Sequence, residues 1–270
     1  MPPEGVKTDE GNLVMPNRLQ RVVWKWWETF WGEWVPEVTK GEPYVVVHNG
    51  DDIDGAHHET STVFTTNLQD QRNLAIQMLA PRIAKAEGYY HIRGTSVHVG
   101  ESGRESENIA RALRATPNID GQFARYELWL KLGRHHLHFL HHVGVTGSSA
   151  HEASAVNAEL TAEFVEASRW GYQPPSVIVR SHRHREIEVR IPTRDGYATA
   201  VVTPAWQLKT SHCFKIAGAR LAPPQIGGIL IRLDHNGDPF TQAYCHHIQR
   251  DEPEEITTQK KHKEPTCRRD

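Results

Sequence analysis

The sequence predicts a mixed α/β fold in which two β-sheets pack face to face with helices outside. Three observations carry the prediction. Short β-branched runs alternate with helical patterns in the first part of the chain. From about residue 186 the pattern is mostly β. Residues able to hold a metal fall at the ends of apolar runs, where α/β folds collect their ligands.

The elements follow in order. Residues 1–15 are polar, with Pro2, Pro3, Gly5 and Gly11, and read as a loop. From Asn17 to Val35 the pattern is helical, and Pro36 is expected to end it. Trp24, Trp27, Trp31 and Trp34 recur on one face of that helix, a face that a sheet would cover. Glu28, Glu33 and Glu37 argue against an interfacial membrane helix. Pro43 to His48 is a buried-strand run, Leu68 to Gly88 a helix that Pro81 is expected to kink, and Tyr89 to Arg93 a short strand. Glu105 to Ala115 is helical, with Ser102 as a nearby cap. Ala124–Leu130 and Leu137–His142 read as a hairpin joined at Lys131-Leu132-Gly133-Arg134. A helix from Ala150 to Trp170 precedes the buried strand Ser176–Arg180, and strands follow at 186–191, 198–203, 228–233 and 240–246. The expected organisation is a loop over 1–15, one domain over 16–248, and a charged, disordered tail over 249–270.

Bulk properties narrow the class. No apolar stretch approaches the roughly 18 residues needed to cross a bilayer, so a soluble, cytoplasmic protein with no membrane partner is expected. Cys213, Cys245 and Cys267 are scattered, without disulfide-framework or zinc-ribbon spacing. A formal net charge of −2 gives no support for tight nonspecific binding to nucleic acid. The excess is in histidine, with 18 residues, and imidazole is the commonest transition-metal ligand.

Four segments carry the chemistry. Asp51 and Asp54 follow the first strand run, between Gly50 and Gly55, and a carboxylate at a strand end can bridge cations. His182 and His184 flank Arg183 just past another strand, and positions i and i+2 of an extended chain face the same way. His141 and His142 close a third run, and alternation alone does not decide which of them faces the cleft. Thr95 and His98 follow the Tyr89–Arg93 strand; Thr95 is a weak ligand, and His98 could bind metal or protonate a leaving oxygen. His57 and His58 would line the mouth of the same pocket, and Arg93 and Arg183 are candidates for holding substrate. No phosphate-cradling glycine loop, nucleophile elbow, helical His-Glu-x-x-His or Cys-x-x-Cys is present.

Taken together, Gly50-Asp51-x-x-Asp54, Arg93-Gly94-Thr95, His141-His142 and Ser181-His182-Arg183-His184 resemble the calcineurin-like metallophosphoesterase superfamily over residues 16 to 235. Arg93-Gly94-Thr95-x-x-His98-Val99-Gly100 and Thr203-Pro204-x-Trp206-Gln207-Leu208-Lys209 are similar to its phage and prophage members. The resemblance implies a four-layer α/β/β/α sandwich and a complete site of two divalent ions, manganese first, with iron or zinc suited as well. It implies that Asp51 bridges the ions and that His182 and one of His141 or His142 hold one of them. His184 belongs to the ligand set. The family's Asn ligand falls at Thr95 and its catalytic imidazole at Ser96, so His98 would have to move in for one of them, and Asp54 corresponds to the carboxylate that orients the catalytic imidazole. The implied substrate is a phosphomonoester or phosphodiester, nucleic acid included, cleaved by metal-activated water.

The family's first strand, ending in Asp-x-His, has no counterpart before Asp51, and Met1-Pro2-Pro3-Glu4 reads like the loop that follows such a strand. The expectation is that the recorded start is internal or the chain a truncated relative; if it is complete, activity should be weak or absent. Two alternatives follow: a non-catalytic metal- or nucleic-acid-binding relative, and a phage-associated assembly protein using its tryptophan face.

Overall fold

The computed structural model describes residues 1–55, 63–144, 149–215 and 222–248. His57, His58, Cys267 and the charged tail lie outside the described residues. The expected loop over 1–15 is instead a small antiparallel ribbon, β1 (Val6–Lys7) with β2 (Leu13–Val14). The signal was two residues per strand, too short for a periodicity to register.

Asn17 then caps helix α1 (Arg18–Thr29) through a capping box with Gln20. Pro36 does not end the helical run. A π-helical segment over Phe30–Trp34 leads into α2 (Val35–Thr39), where Pro36 sits in the first turn and loses no needed hydrogen bond. Lys40, in the left-handed region, is the stop. The tryptophan face is turned inward: Trp27 meets Trp206 edge-on at 5.0 Å, and Phe30 packs on Trp206 and Tyr244. Trp27 is thus buried within the chain, and Trp24, Trp31 and Trp34 are partly buried against the same clusters.

Strand β3 (Val45–Asn49) pairs in parallel with β4 (Gly88–Ile92), which pairs with β5 (Ala124–Arg125). Between them run α3 (Leu68–Ile83), the short α4 (Ser96–Val99) and α5 (Arg104–Ala112), which starts at Gly103 rather than Ser102. The expected strand over 124–130 is two strands. After β5 the chain crosses to a second sheet at Tyr126 and continues as β6 (Glu127–Leu132), a hairpin with β7 (His135–Leu140). Helix α6 (Glu152–Trp170) leads to β8 (Val177–Arg180), β9 (Ile187–Thr193) and β10 (Gly196–Val202), completing a five-stranded sheet of order β6-β7-β8-β10-β9. A last hairpin joins β11 (Gln225–Leu233) to β12 (Pro239–His247).

The packing makes four layers. Ile109, Leu113, Ala75, Leu79 and Trp27 cover one face of the three-stranded sheet through Tyr89. Its other face meets the larger sheet, where Ile92 packs with Leu128, Leu137, Phe139, Val177 and Val179. Val156 and Leu160 of α6 close the far side over Ile178, Ala198, Ala200 and Val202. Each fully buried Val, Leu or Ile among them contributes roughly 1.5–3 kcal/mol. Strand β8 is buried on both faces, which is why Val177-Ile178-Val179 reads as a continuous apolar run. No helix among the described residues is long and apolar enough to cross a membrane.

Candidate metal centre

The carboxyl ends of β3, β4, β7 and β8 converge at one rim of the sandwich. Asn49, the last residue of β3, clasps that rim: its side-chain amide donates to Leu140 O at 3.1 Å and Ser181 Oγ at 2.8 Å. Ser181 in turn shares a hydrogen bond with Thr203 at 2.8 Å. The two sheets are thus tied where the motifs end.

Past Asn49 the chain turns sharply, and Asp51 adopts a left-handed conformation, φ 57°. Its neighbours permit this. A Cβ on Gly50 would stand 2.3 Å from His141 Nδ1, and a Cβ on Gly94 would stand 2.3 Å from Asp51 N. Asp51 Oδ1 accepts from Thr95 N–H at 2.7 Å and Thr95 Oγ–H at 2.8 Å, leaving Oδ2 to face the histidines. His141 Nε2 lies 2.9 Å from Oδ2; His182 Nδ1 and His98 Nε2 lie at 3.8 Å. Three non-glycine residues of this rim, Asp51, His182 and His184, hold positive φ, a strain that folds keep where geometry serves function.

The tautomer of His141 follows from its partners. Its Nδ1 lies 2.6 Å from Asn49 O, which can only accept, so Nδ1 carries a proton. In the neutral ring Nε2 then presents a lone pair to a carboxylate oxygen, and a cation must lie between them: a proton or a metal. Neither Nε2 nor Oδ2 has a partner of hydrogen-bond geometry, although both are buried. Asp51 Oδ2, His141 and His182 place their ligand atoms within 4.8 Å of one another, as metal ligands do. The donor set of one carboxylate and two imidazoles fits a divalent transition ion.

Charge distribution agrees. Burial alone would raise the Asp51 carboxyl, but the close imidazoles of His141 and His182, with His98 beyond them, outweigh it and hold the group far below the carboxylate range. Burial lowers His141, and its contact with Asp51 reverses the direction, so its proton affinity is raised. Burial, helped by the neighbouring imidazoles, pushes His184 down to about 4, leaving it neutral with a lone pair to offer.

The other expected residues divide. His141 rather than His142 faces Asp51; His142 is exposed and stacks edge-on against His141. His184 lines the same cleft without joining the three-ligand set. Thr95 binds Asp51 through both its N–H and its hydroxyl, orienting the carboxylate. Asp54 meets His98 through its main-chain carbonyl, 2.8 Å from His98 Nδ1, while its carboxylate accepts from Gln207. The implied carboxylate–imidazole contact is therefore replaced by a carbonyl–imidazole one. Arg93 reaches away from the rim, to Ala124 O, Ser102 O and the ring of Tyr126. Arg183 contacts Glu152 O at 3.3 Å. Among the described residues, one three-ligand set gathers at this rim rather than the two a complete dinuclear site requires.

Two further residues, Asn49 and Gln207, support the site without any local sequence signal. Asn49 is an amide at a strand end, and only the pairing of strands 91 residues apart reveals what it holds. From the rim a cleft of about 1130 Å³ runs between β3 and β11, past His48 and beneath Trp27.

No family model matches the chain, and no curated protein matches it. Solved structures similar to it include Vps29 complexed with zinc from Entamoeba histolytica, 13% identical over 74% of this chain and 98% of that one, with a TM-score of 0.33. Vps29 from Chaetomium thermophilum is 12% identical over 83% of this chain and 89% of its own, with a TM-score of 0.34. A novel archaeal phosphodiesterase is 12% identical over 79% of this chain and 95% of its own, with a TM-score of 0.35. These are loose likenesses, and the α/β/β/α architecture rests on the chain's own strand order and packing.

Proposed function

We propose that this chain is a metal-dependent phosphoester hydrolase whose ion is held by Asp51, His141 and His182. The observation that carries the reading is the forced tautomer of His141, whose lone pair converges with Asp51 Oδ2 on one buried point. A divalent ion there supplies positive charge to a phosphoryl oxygen and lowers the pKa of water. Thr95 keeps Asp51 Oδ1 turned away, so that Oδ2 alone points to the ion. His98 has Nδ1 against the Asp54 carbonyl, which directs Nε2 toward Asp51 and fits it to give a proton to a leaving oxygen. His184, half-buried and held neutral by the loss of water around it, is a further nitrogen for ion or substrate. Manganese as the ion, nucleic acid as a substrate and a second ion are the finer parts of the proposal.

The test is hydrolysis of bis(4-nitrophenyl) phosphate and 4-nitrophenyl phosphate with and without added Mn²⁺. Metal-stimulated turnover is expected in the native chain and is expected to vanish in Asp51→Asn and His141→Ala. Bound metal without turnover would make the chain a non-catalytic metal-binding relative. Turnover equal in the native chain and His141→Ala would remove this site from the chemistry altogether.

A further inference from the structure

A second cluster of metal-ligating side chains lies on the opposite face of the three-stranded sheet. His48 and His91 are register partners on β3 and β4, so their side chains share a face. It is the helix-side face, shared with Val46 and Tyr89, whereas Val47, Tyr90 and Ile92 point between the sheets. Asp51 and Asp52 are consecutive, and Asp52 turns the other way, under α5. Its Oδ1 lies 2.7 Å from His48 Nε2 and 2.7 Å from His91 Nε2.

These contacts are close but do not have hydrogen-bond geometry. His48 Nε2, His91 Nε2 and Asp52 Oδ1 are all buried, and all three lack a hydrogen-bond partner. The side chains of Asp52 and His91 are wholly inaccessible. An N–H aimed at Oδ1 from 2.7 Å would satisfy both atoms. Here the directions miss, and the three atoms meet around a shared point instead. Leaving three buried polar atoms unpaired forfeits their solvation with nothing in return. A cation at the shared point removes all three losses together.

The surroundings are those of a metal site. Ser106 of α5 donates its hydroxyl to Asp52 Oδ2 at 2.5 Å, which turns Oδ1 inward. Tyr89 Oη lies 2.6 Å from His91 Nδ1 and can accept a hydrogen bond from Nδ1–H, which leaves Nε2 as the ligand nitrogen. Ligand histidines are held in this way through their outer nitrogen. His48 is partly open to the cleft, giving an ion a path in and a place for a water as the fourth ligand.

We infer that His48, Asp52 and His91 form a separate mononuclear site for a transition-metal ion of the zinc class, joining β3, β4 and the start of α5. Two imidazole nitrogens and one carboxylate oxygen are a zinc donor set, with a fourth position open to solvent. The inference is independent of the phosphoesterase reading. It concerns different ligands on a different face, and the ion it describes holds the fold together.

The experiment uses the tag-free full chain, with the rim site disabled by Asp51→Asn. After loading with Zn²⁺ and dialysis, Asp51→Asn is expected to retain about one zinc per chain by elemental analysis. Zinc should raise its Tm, and Co²⁺ in its place should give a tetrahedral visible absorption band. Adding His48→Ala, or the more conservative His48→Asn, should abolish the retained zinc, the Tm shift and the cobalt band. Far-UV circular dichroism identifies which of the two variants keeps the fold. Ser106→Ala, which removes only the group orienting Asp52, should weaken zinc binding about 10–100-fold. The inference is overturned if Asp51→Asn retains no zinc, or if the folded His48 variant retains as much. Metal-stimulated hydrolysis retained in Asp51→Asn, with zinc still bound at His48, would count against the phosphoesterase reading alone.

Discussion

At the scale of single residues the rim site depends on which atom of each side chain is left unoccupied. Asn49 O occupies one nitrogen of His141, and Thr95 occupies one oxygen of Asp51; the atoms remaining are those that face each other. Thr95→Val keeps the shape and removes the hydroxyl, so metal affinity should fall about 10–100-fold while the melting temperature changes little. Titration with Mn²⁺ by calorimetry checks this. Gly94→Ala acts by space rather than charge. Its Cβ would lie 2.3 Å from Asp51 N and Oδ1, so the carboxylate must move and metal binding should be lost. Retained Mn²⁺ affinity in Gly94→Ala would show that Asp51 is not held where the structure has it. The choice between His141 and His142 also belongs to this scale. Both close the same run, and only the carbonyl of Asn49, brought from another strand, selects His141.

At the scale of elements, the position of β8 is set by what its ends and faces hold. Arg180, the last residue of β8, is buried on the strand's helix-side face. It is paired with Glu159 and Glu163 of α6 and donates to His138 O at 3.2 Å. Removing one partner of such a network leaves uncompensated buried charge, so Arg180→Ala should cost about 3–5 kcal/mol in denaturant unfolding. Glu163 gives the same network a pH dependence. The hydrogen bond from His138, together with the charges of His138 and Arg180, holds its carboxyl below the ordinary value of 4.5. A depressed folded pKa means that stability is fully present above that value and is lost as pH falls through the lower one. The acid limb of unfolding should therefore be shallower in Glu163→Gln than in the native chain, measured by thermal melts below pH 5 or so. The π-helical segment belongs here too. It keeps Phe30 against Tyr244 and carries Pro36 into a position where a proline does no harm.

At the scale of the whole molecule, two sheets and three buried layers bring residues far apart in sequence to one rim. The β11–β12 hairpin joins this body through Phe30, which packs directly over Gly228. A Cβ on Gly228 would approach Phe30 Cζ to 2.9 Å, so Gly228→Ala should destabilise by about 1–3 kcal/mol through overpacking, read from a lowered Tm. The layered fold was legible because its signals are periodic. The run at Val177–Val179 marked a strand buried on both faces, and Lys131 to Arg134 marked the hairpin turn. The split of the strand at Tyr126 was not legible, because a change of sheet leaves the local alternation unbroken. Helix continuation through Pro36 was hidden for a similar reason, since a proline reads as a stop unless the turn before it has already loosened.

The sequence by itself determined the order of the elements, the apolar runs that build the core, and the placing of carboxylate and imidazole motifs at strand ends. Those properties are local, set by periodicity and turn chemistry within a few residues. Tertiary structure alone decided that His141 and not His142 meets Asp51, that Asp54 offers a carbonyl rather than a carboxylate to His98, and that His48 and His91 gather around Asp52. Each of these depends on strand register and on which hydrogen-bonding atoms are already occupied by distant residues. Neither is encoded in the spacing of residues along the chain.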